Sequence, residues 1–541
     1  MATFSTSPNQ PVNFDTFDIA NLGGNYVYAS GPTLWRVGPF TMNIGINVEF
    51  LGLGFTYSGG VLVGGTIQSI TMHSFGDISF QITGLAMSVA TFNSYQSAGD
   101  SQGFLATTFS GNDTIGGSDQ ADRLDGFAGS DHLEGYGGND VLDGGAGSDT
   151  LVGGLGNDSY VLDGVGDVIV ESGKDTSDKV NANFSVDLTK AAFDGIEHAT
   201  LRGSANLFAT GDSGANHLTG NAGANKLSGG TGNDTLDGLA GNDILDGGSG
   251  NDTLKGGSGN DTYYVDASYG DLISETAAGG TDIVFSSAET FTLADHVENL
   301  TLTGTAEIGY GNDSVNTLTG NAAHNVLNGE DGADIMIGGA GNDEYYVDSA
   351  KDTVTETSTG GTVDLVQSSL STYTLPNYVE WLHLGVNAGT DGIGNSLDNH
   401  LYGNDLANTL DGAGGHDVLS GGGGDDTLIG GAGNDDLYGG LGVNTIDTSL
   451  GNDAVFYQGG LDVLQGFDGN AVGGGQDLMS LHFYFDQLGV PAEDRAERVS
   501  ISDQGSVVDV WLDYDGDGSL DFQIAEIHSV DLILVNQDVG V

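Results

Sequence analysis

The chain has 541 residues, of which 76 are aspartate or glutamate and 11 are lysine or arginine, so its formal net charge is -65. This excess of negative charge argues against a nucleic acid as partner, because nucleic-acid binding depends on basic groups that neutralise phosphates. Cysteine is absent, which excludes disulfides and disfavours zinc centres. No apolar run is long enough to span a bilayer, so we do not expect a transmembrane protein.

Residues 1–110 differ in charge from the rest of the chain and are predicted to form a separate domain. They contain five acidic residues and one arginine. Apolar residues alternate over 42–50 and 78–82, which predicts an antiparallel β-domain, either a sandwich or a barrel-like module. Its low charge suits a role in association or adhesion. Trp35 could stack on a sugar, although aromatic residues in small β-domains are more often part of the core.

One short motif near the end of this domain invites an enzymatic interpretation. Residues 99–103, GDSQG, fit G-x-S-x-G, the nucleophile turn of α/β-hydrolases, which needs a buried strand before it and a helix after it. At the junction between a β-domain and a repeat region, a linker turn is the more common explanation. The metalloprotease motif H-E-x-x-H is absent from the sequence. We therefore assign no catalytic residue.

A nine-residue pattern, G-G-x-G-N-D-x-L-x, recurs through most of the sequence after residue 110. Residues 144–152, GGAGSDTLV, are one copy. Glycines permit turns with positive φ, and one apolar residue between small polar ones suits a very short strand with one inward face. A single repeat cannot bury its leucine, so stacked repeats are expected to form a solenoid with a continuous apolar ladder. The turns would then bring carboxylates together, which requires a cation.

Four arrays of this pattern supply oxygen ligands, which favour calcium over magnesium or zinc. The aspartates predicted to bind calcium are Asp113, Asp122, Asp131, Asp140, Asp149, Asp158, Asp234, Asp243, Asp252, Asp261, Asp334, Asp343, Asp417, Asp426, Asp435 and Asp453. The later arrays open with asparagine at the same position, namely Asn216, Asn225, Asn316, Asn325, Asn399 and Asn408. Asparagine has an oxygen but no charge, so these turns are expected to bind calcium weakly or to serve as caps held by amide hydrogen bonds.

The nonads resemble those of RTX proteins, bacterial proteins that are exported by type I secretion. The resemblance implies that the first six residues of each nonad form a calcium-binding turn and the last three a short strand. It also implies a right-handed parallel β-roll over residues 111–456, with multiple bound calcium ions. Since calcium that binds only the native state supplies folding free energy, we expect the chain to be unfolded inside the cell and to fold outside.

A longer repeat separates the arrays. The first three arrays end in Gly-Asn-Asp-x-Tyr, with Tyr160, Tyr263 and Tyr345 as the final residue, and lead into a segment that ends in glutamate. Each unit later has a segment that begins with glutamate and ends with leucine, at 197–201, 298–302 and 380–384. Alternating apolar residues predict strands here. We expect these spacers to continue the parallel stack in wider coils.

Residues 457–541 are predicted to form a β-rich cap and a targeting region. Segments 477–481 and 531–535 resemble the uncleaved region that type I secretion recognises, and residues 1–24 show no Sec-type signal. Residues 513–521 resemble the first part of an EF-hand loop, so Asp513, Asp515 and Asp517 are further candidate calcium ligands. Ile524 stands where such a loop has its glutamate, and a hairpin with an acidic turn is equally favoured.

Two functional classes remain. In the first, a secreted calcium-binding protein forms a structural or adhesive component of the cell surface, such as a surface layer, filament or matrix, through self-association or a cell-surface glycan. In the second, the repeats serve secretion and folding of a small N-terminal catalytic head, for example a hydrolase. The small head and the missing catalytic set favour the first class.

Overall fold

The structure is a computed structural model that describes residues 101–171, 177–266, 270–386, 390–467 and 477–480, together with isolated strands before and after them. It divides into two units, Met1–Gly280 and Thr281–Val541. In each unit the described residues form mostly short, parallel β-strands. The chain is therefore an all-β parallel solenoid, as the repeats predicted.

The first unit has three main sheets of parallel strands. The first sheet contains Thr114–Gly116, His132–Gly137, Thr150–Leu155 and Val168–Val170. The second contains Arg123–Asp125, Val141–Asp143, Ser159–Leu162, Lys179–Ala182, His198–Leu201, His217–Thr219, Thr235–Asp237, Thr253–Lys255 and Leu272–Ile273. The third contains Val186–Asp187, Phe208–Thr210, Lys226–Thr231, Ile244–Ser249 and Thr262–Val265. Two further short strands, Ala128–Gly129 and Ala146–Gly147, pair with each other, and Ala191–Phe193 forms a 3-10 turn.

One coil of the solenoid contains two nonads. Leu133 pairs in register with Leu151 in the first sheet, and Leu124 pairs with Leu142 in the second. Successive nonads therefore place their strands in opposite sheets, and strands that are two nonads apart pair with each other in the same sheet. The apolar residue of each of these four nonads is fully buried, because alternate side chains of a strand point to opposite faces and only this one points inward.

The spacer between the first two arrays of this unit continues the second sheet. Tyr160 pairs with Val180, and Val180 pairs with Ala199. The backbone N–H of Asp158 donates to the side-chain Oδ1 of Asp178, which is 20 residues later instead of 18. The prediction that the spacer extends the stack in a wider coil is confirmed. On the opposite face of the solenoid one sheet ends and another begins at this point. Val168–Val170 is the last strand of the first sheet, and Val186–Asp187 is the first strand of the third.

A short helix, Ser101–Thr108, precedes the first coil. Leu105 and Phe109 are fully buried, and the ring of Phe109 stacks against Phe127 with 6.3 Å between ring centroids. The linker turn predicted for residues 99–103 is wrong for residues 101–103, which are helical, because a helix brings side chains four residues apart onto one buried face. Residues 99 and 100 lie outside the described residues.

Before this helix the structure describes six strands. They are Thr3–Thr6, Val27–Ser30, Leu34–Val37, Ile46–Ser58, Val61–Ser74 and Asp77–Ser88. Their mutual pairing is antiparallel, and Thr3–Thr6 also pairs in parallel with the first strand of the repeat region. The sandwich or barrel predicted for residues 1–110 includes many residues outside the described ones and stays a prediction.

The second unit also has three main sheets. One contains Ile283–Ser286, Asn299–Leu302, Thr317–Thr319, Ile335–Ile337 and Thr353–Thr355. Another contains Thr290–Thr292, Ile308–Tyr310, Val326–Asn328, Glu344–Val347, Leu365–Ser368, Trp381–Leu384, His400–Tyr402, Val418–Ser420, Asp436–Tyr438, Ala454–Phe456, Leu478–Ser480 and Val539–Gly540. The last contains Thr372–Thr374, Asp391–Ile393, Thr409–Asp411, Thr427–Ile429, Val443–Asp447 and Leu461–Gln465 in parallel, followed by Phe522–His528, Val508–Leu512 and Val499–Asp503.

The apolar ladder of this unit follows the same rule, with one departure in the spacer. Leu401 pairs with Leu419, and both are fully buried. In the spacer, Tyr345 pairs with Val366 and Val366 with Leu382. In the first coil of the spacer, the N–H of Asp343 donates to Oδ1 of Asp364, 21 residues later. In the second coil, the N–H of Asp364 donates to Oε2 of Glu380, 16 residues later. The prediction of wider spacer coils is therefore right for the first coil and wrong for the second, where the turn is two residues shorter than a pair of nonads.

Candidate metal centres in the repeat turns

A ladder of hydrogen bonds connects the aspartates of neighbouring coils. The backbone N–H of Asp131 donates to Oδ1 of Asp149, and that of Asp234 donates to Oδ1 of Asp252, both at 2.7 Å and 18 residues apart. The same bond recurs in the fourth array, where the N–H of Asp417 donates to Oδ1 of Asp435 at 2.9 Å. Each rung fixes the orientation of one carboxylate, and the second oxygen of that carboxylate then points into the turn.

The second oxygen of most ladder carboxylates has no hydrogen-bond partner. Among the residues that the structure describes, this holds for Oδ2 of Asp131, Asp140, Asp149, Asp178, Asp234, Asp243, Asp252, Asp334, Asp343, Asp417, Asp426, Asp435 and Asp453. All of these residues are at most 3% exposed. A buried carboxylate oxygen without a donor is strongly unfavourable, so the ladder fits a column of bound cations.

Glycines leave the space in which such a cation would lie. A Cβ added to Gly126 would come within 2.6 Å of Asp131 Oδ2 and 2.5 Å of the Gly144 carbonyl oxygen. At Gly238 the corresponding distances are 2.5 Å to Asp243 Oδ2 and 2.8 Å to the carbonyl oxygen of the glycine in the next coil. A carboxylate and a backbone carbonyl thus converge on a place that only glycine keeps open. Calcium prefers this mixture of oxygen ligands and its irregular geometry.

Burial of these carboxylates changes their protonation. Desolvation is the main cause that raises the pKa of Asp140, Asp243 and Asp417 to about 7, against a hydrogen bond from the backbone that lowers it. Neighbouring carboxylates of the ladder raise it further, as Asp435 does for Asp417. A bound calcium ion would stabilise the charged form and reverse this shift. Protons and calcium would therefore compete for the same groups.

Asparagines at the start of the arrays satisfy their side chains without a cation. In the second unit, Asn316 Oδ1 accepts the N–H of Asn312 at 2.7 Å, and its Nδ2 donates to the Val297 carbonyl oxygen at 3.2 Å. Asn399 makes the same two bonds, with Asn395 and Val379. These are the amide hydrogen bonds expected of caps, and they use the oxygen that an aspartate would offer to calcium.

The structure places the predicted aspartates of the four arrays on this ladder. Asp122 differs from the others, because its Oδ2 accepts the N–H of Ser118 at 2.5 Å and the Ser118 hydroxyl at 2.9 Å. The turn before it, residues 117–122, lacks the second glycine of the pattern. Its carboxylate is therefore less suited to calcium than those of its neighbours. Asp513, Asp515 and Asp517 lie outside the described residues.

Several ladder residues were not predicted because they fall outside the nonads. Asp178 Oδ1 accepts the N–H of Asp158, Asp364 Oδ1 accepts that of Asp343, and Asp477 Oδ1 accepts that of Asp453, at separations of 20, 21 and 24 residues. A search at a fixed spacing of nine misses them. The available signal is the Asp-x-Val or Asp-x-Met step, in which the aspartate stands two residues before an inward-facing apolar residue, as in every nonad.

The arrays that form this ladder match a known family of calcium-binding repeats. The family model of the RTX calcium-binding nonapeptide repeat, which spans four copies, matches residues 107–140, 125–160, 210–245, 237–268, 310–345, 393–428, 420–455 and 429–464. The chain carries RTX calcium-binding nonapeptide repeats. Among curated proteins, none matches the chain. RTX repeats of this kind indicate a secreted protein that binds multiple calcium ions, and the buried Oδ2 atoms without hydrogen-bond partners are oxygens placed where such ions would bind.

No helix among the described residues is both long enough and apolar enough to cross a membrane.

Replacement of a single turn glycine is expected to remove one calcium site. A Cβ on Gly412 would lie less than 3.0 Å from Asp417 Oδ2 and from the Gly430 carbonyl oxygen, whereas a Cβ on Gly414 would have nothing nearer than 3.6 Å. Neither glycine has positive φ. We expect Gly412→Ala to bind about one ion fewer than the parent protein, and Gly414→Ala to bind the full number. Equal ion counts for both variants, by equilibrium dialysis, would contradict this site.

Without calcium, acidification is expected to promote folding. An aspartate has a pKa of about 4 in the unfolded chain, and burial raises that of Asp140 and Asp243 to about 7. The folded state therefore binds protons more tightly, so this stabilisation is fully present below pH of about 4 and is lost as the pH rises through about 7. Circular dichroism in EDTA should show strand content falling between about pH 5 and about pH 8. A constant signal over this range would contradict the raised pKa values.

Proposed function

We propose that this protein is secreted, folds on extracellular calcium and acts as a structural or adhesive component of the cell surface. The observation that carries the calcium step is the column of buried Asp Oδ2 atoms without hydrogen-bond partners among the described residues. Extracellular calcium modules bind with dissociation constants of roughly 0.1 to 1 mM. Inside a cell, where free calcium is far lower, the same carboxylates would repel each other and the chain would stay open.

An open chain before export is compatible with passage through a type I secretion apparatus, which we propose as a partner. The resemblance of segments 477–481 and 531–535 to type I targeting regions supports this. Leu478–Ser480 forms a strand that pairs with Ala454–Phe456. Once calcium has folded the solenoid, the targeting region would therefore become part of it. The chain that is exported would be open, whereas the functional protein would be folded.

An aromatic surface in the second unit supports the adhesive role. Trp381, His383, His400 and Tyr402 lie on two neighbouring strands whose inward residues are leucines. The ring of Trp381 stacks on His400 with 4.6 Å between centroids, and His383 meets Tyr402 edge-on at 4.8 Å. All four side chains are partly exposed. Flat aromatic surfaces suit contact with a glycan or with a second copy of the chain.

Sedimentation velocity in millimolar calcium tests this proposal. We expect the full-length protein to form assemblies larger than a monomer, and Trp381→Ala to reduce them. Ile335→Ala is a suitable control, because Ile335 is an exposed apolar residue of the same unit on a different sheet. A compact monomer at every concentration, with no binding to whole cells, would refute the structural and adhesive role while leaving calcium-coupled folding intact.

The alternative is an enzyme whose catalytic head precedes the repeats. The helix that begins at Ser101 is the one observation in its favour, since the nucleophile turn of hydrolases leads into a helix. Esterase assays with the parent chain and with Ser101→Ala distinguish the two functions. Activity that is lost in Ser101→Ala would establish the enzyme, and absence of activity in both proteins would leave the surface role.

A further inference from the structure

Two of the arrays end in a cluster of three acidic side chains, and two members of each cluster lie outside the nonad pattern. One consists of Asp343, Glu356 and Asp364, each of which has one carboxylate oxygen within 4.8 Å of an oxygen of the other two. The corresponding cluster in the first unit consists of Asp158, Glu171 and Asp178. In each cluster the first aspartate is the last of its nonad array, and the other two residues come from the spacer that follows.

The fold builds the cluster of the second unit from three separate segments. Asp343 closes the turn before Glu344–Val347, Glu356 follows the strand Thr353–Thr355, and Asp364 precedes Leu365–Ser368. The N–H of Asp343 donates to Asp364 Oδ1 at 2.7 Å, and the Tyr345 hydroxyl donates to Glu356 Oε1. The array-ending tyrosine thus orients the glutamate.

The glutamate takes the place of a glycine carbonyl. In an ordinary coil, the carbonyl oxygen of the glycine 18 residues later lies beside the turn glycine, as Gly338 O does beside Gly320. Continuing this step from Gly338 leads to Glu356, and a Cβ on Gly338 would lie less than 3.0 Å from Glu356 Oε1 and from Asp343 Oδ2. A charged oxygen therefore replaces a neutral one in the same space.

The three carboxylates of this cluster are almost completely buried, so water cannot separate their charges. Asp343 is 1% exposed, Asp364 is fully buried and Glu356 is 7% exposed. Oδ2 of Asp343 has no hydrogen-bond partner among the described residues and points into the cluster. Three carboxylates held this closely need positive charge between them.

We propose that Asp343, Glu356 and Asp364 form a calcium site of a second type, which closes the third array and binds more tightly than the nonad turns. Its ligands are three carboxylates, with the tyrosine hydroxyl as the positioning group, instead of carboxylates and backbone carbonyls. More charged ligands raise calcium affinity. Asp158, Glu171 and Asp178 form the matching site of the first unit, with Tyr160 donating to Glu171. This inference does not depend on the surface role.

The site can be tested by counting ions in Glu356→Gln, which removes one charge from the cluster and keeps its shape. Glu330→Gln is the matched control, since Glu330 lies in an exposed turn of the same array. At low free calcium, equilibrium dialysis should show about one tightly bound ion fewer in Glu356→Gln and no change in Glu330→Gln. Equal numbers of tight ions in both variants and the parent would overturn the proposal, even if the nonad sites still fill at higher calcium.

Terbium luminescence provides a readout that does not depend on overall stability. Terbium replaces calcium at oxygen sites, and energy transfer from tyrosine requires that the ring be close to the ion. Because the Tyr345 hydroxyl bonds to Glu356, Tyr345→Phe should lower the tyrosine-sensitised signal by roughly the share of one site while the three carboxylates still bind the ion. Tyr346→Phe, on the outward face of the same strand, should leave the signal unchanged. Equal signals from both variants would count against the site.

Discussion

In EDTA the full-length protein is expected to lose most of its strand signal and to sediment as an expanded chain, and millimolar calcium should restore both. The formal net charge is -65, and the structure collects many of these carboxylates in buried columns. Without cations, the folded state must either keep buried charges together or bind protons, and both are unfavourable at neutral pH. Calcium removes this penalty only in the folded state, so it shifts the folding equilibrium by mass action.

A comparison of calcium with magnesium distinguishes folding at specific calcium sites from general screening of the negative charge. Magnesium at the same concentration is a suitable control, because it has the same charge but resists losing its water ligands to carbonyls. We expect magnesium to leave the protein largely open. Equal folding in magnesium, or full strand content in EDTA at neutral pH, would show that charge screening or the apolar ladder alone stabilises the solenoid.

Leu245→Ala is expected to be among the most destabilising single substitutions in the first unit. Leu245 is fully buried and pairs in register with Leu227 on one side and Tyr263 on the other. Removing its side chain leaves a cavity in a ladder that is one side chain wide, for which the usual cost is about 2 to 5 kcal/mol. Urea denaturation at saturating calcium should therefore show a clear loss of stability.

Ile244 provides the matched control for this substitution. It precedes Leu245 in the same strand, Ile244–Ser249, but its side chain is 36% exposed. Ile244→Ala should change the free energy of unfolding by less than about 0.5 kcal/mol. Similar losses for both variants would mean that the apolar ladder is not the core. Because neighbouring repeats couple mainly to each other, the transition in Leu245→Ala is also expected to broaden.

Much of the solenoid could be predicted from the sequence, because its coils repeat a local rule. One apolar residue per nonad, two positions after the aspartate, is enough to assign Leu133, Leu142 and Leu151 to an inward ladder, and all three are fully buried. The positions of the ligand aspartates follow from the same phase. The pairing of strands two nonads apart does not follow from the sequence, because the sequence period does not show how many nonads close one coil.

The spacers were harder to predict because their length varies while their contacts do not. Asp178 and Asp364 continue the ladder after irregular gaps, and Glu171 and Glu356 reach back to the end of the array. These contacts join residues that share no fixed spacing. They depend on how far the chain bulges between strands, which is a property of the folded coil and not of any short motif.

The most direct test of the calcium ladder is a crystal structure of the protein grown with calcium and examined for anomalous scattering. We expect anomalous peaks beside Oδ2 of Asp131, Asp243 and Asp417, each between a turn glycine and the carbonyl oxygen of the next coil. Peaks at the exposed acidic surface only, with these Oδ2 atoms bonded to water or to basic side chains, would contradict it.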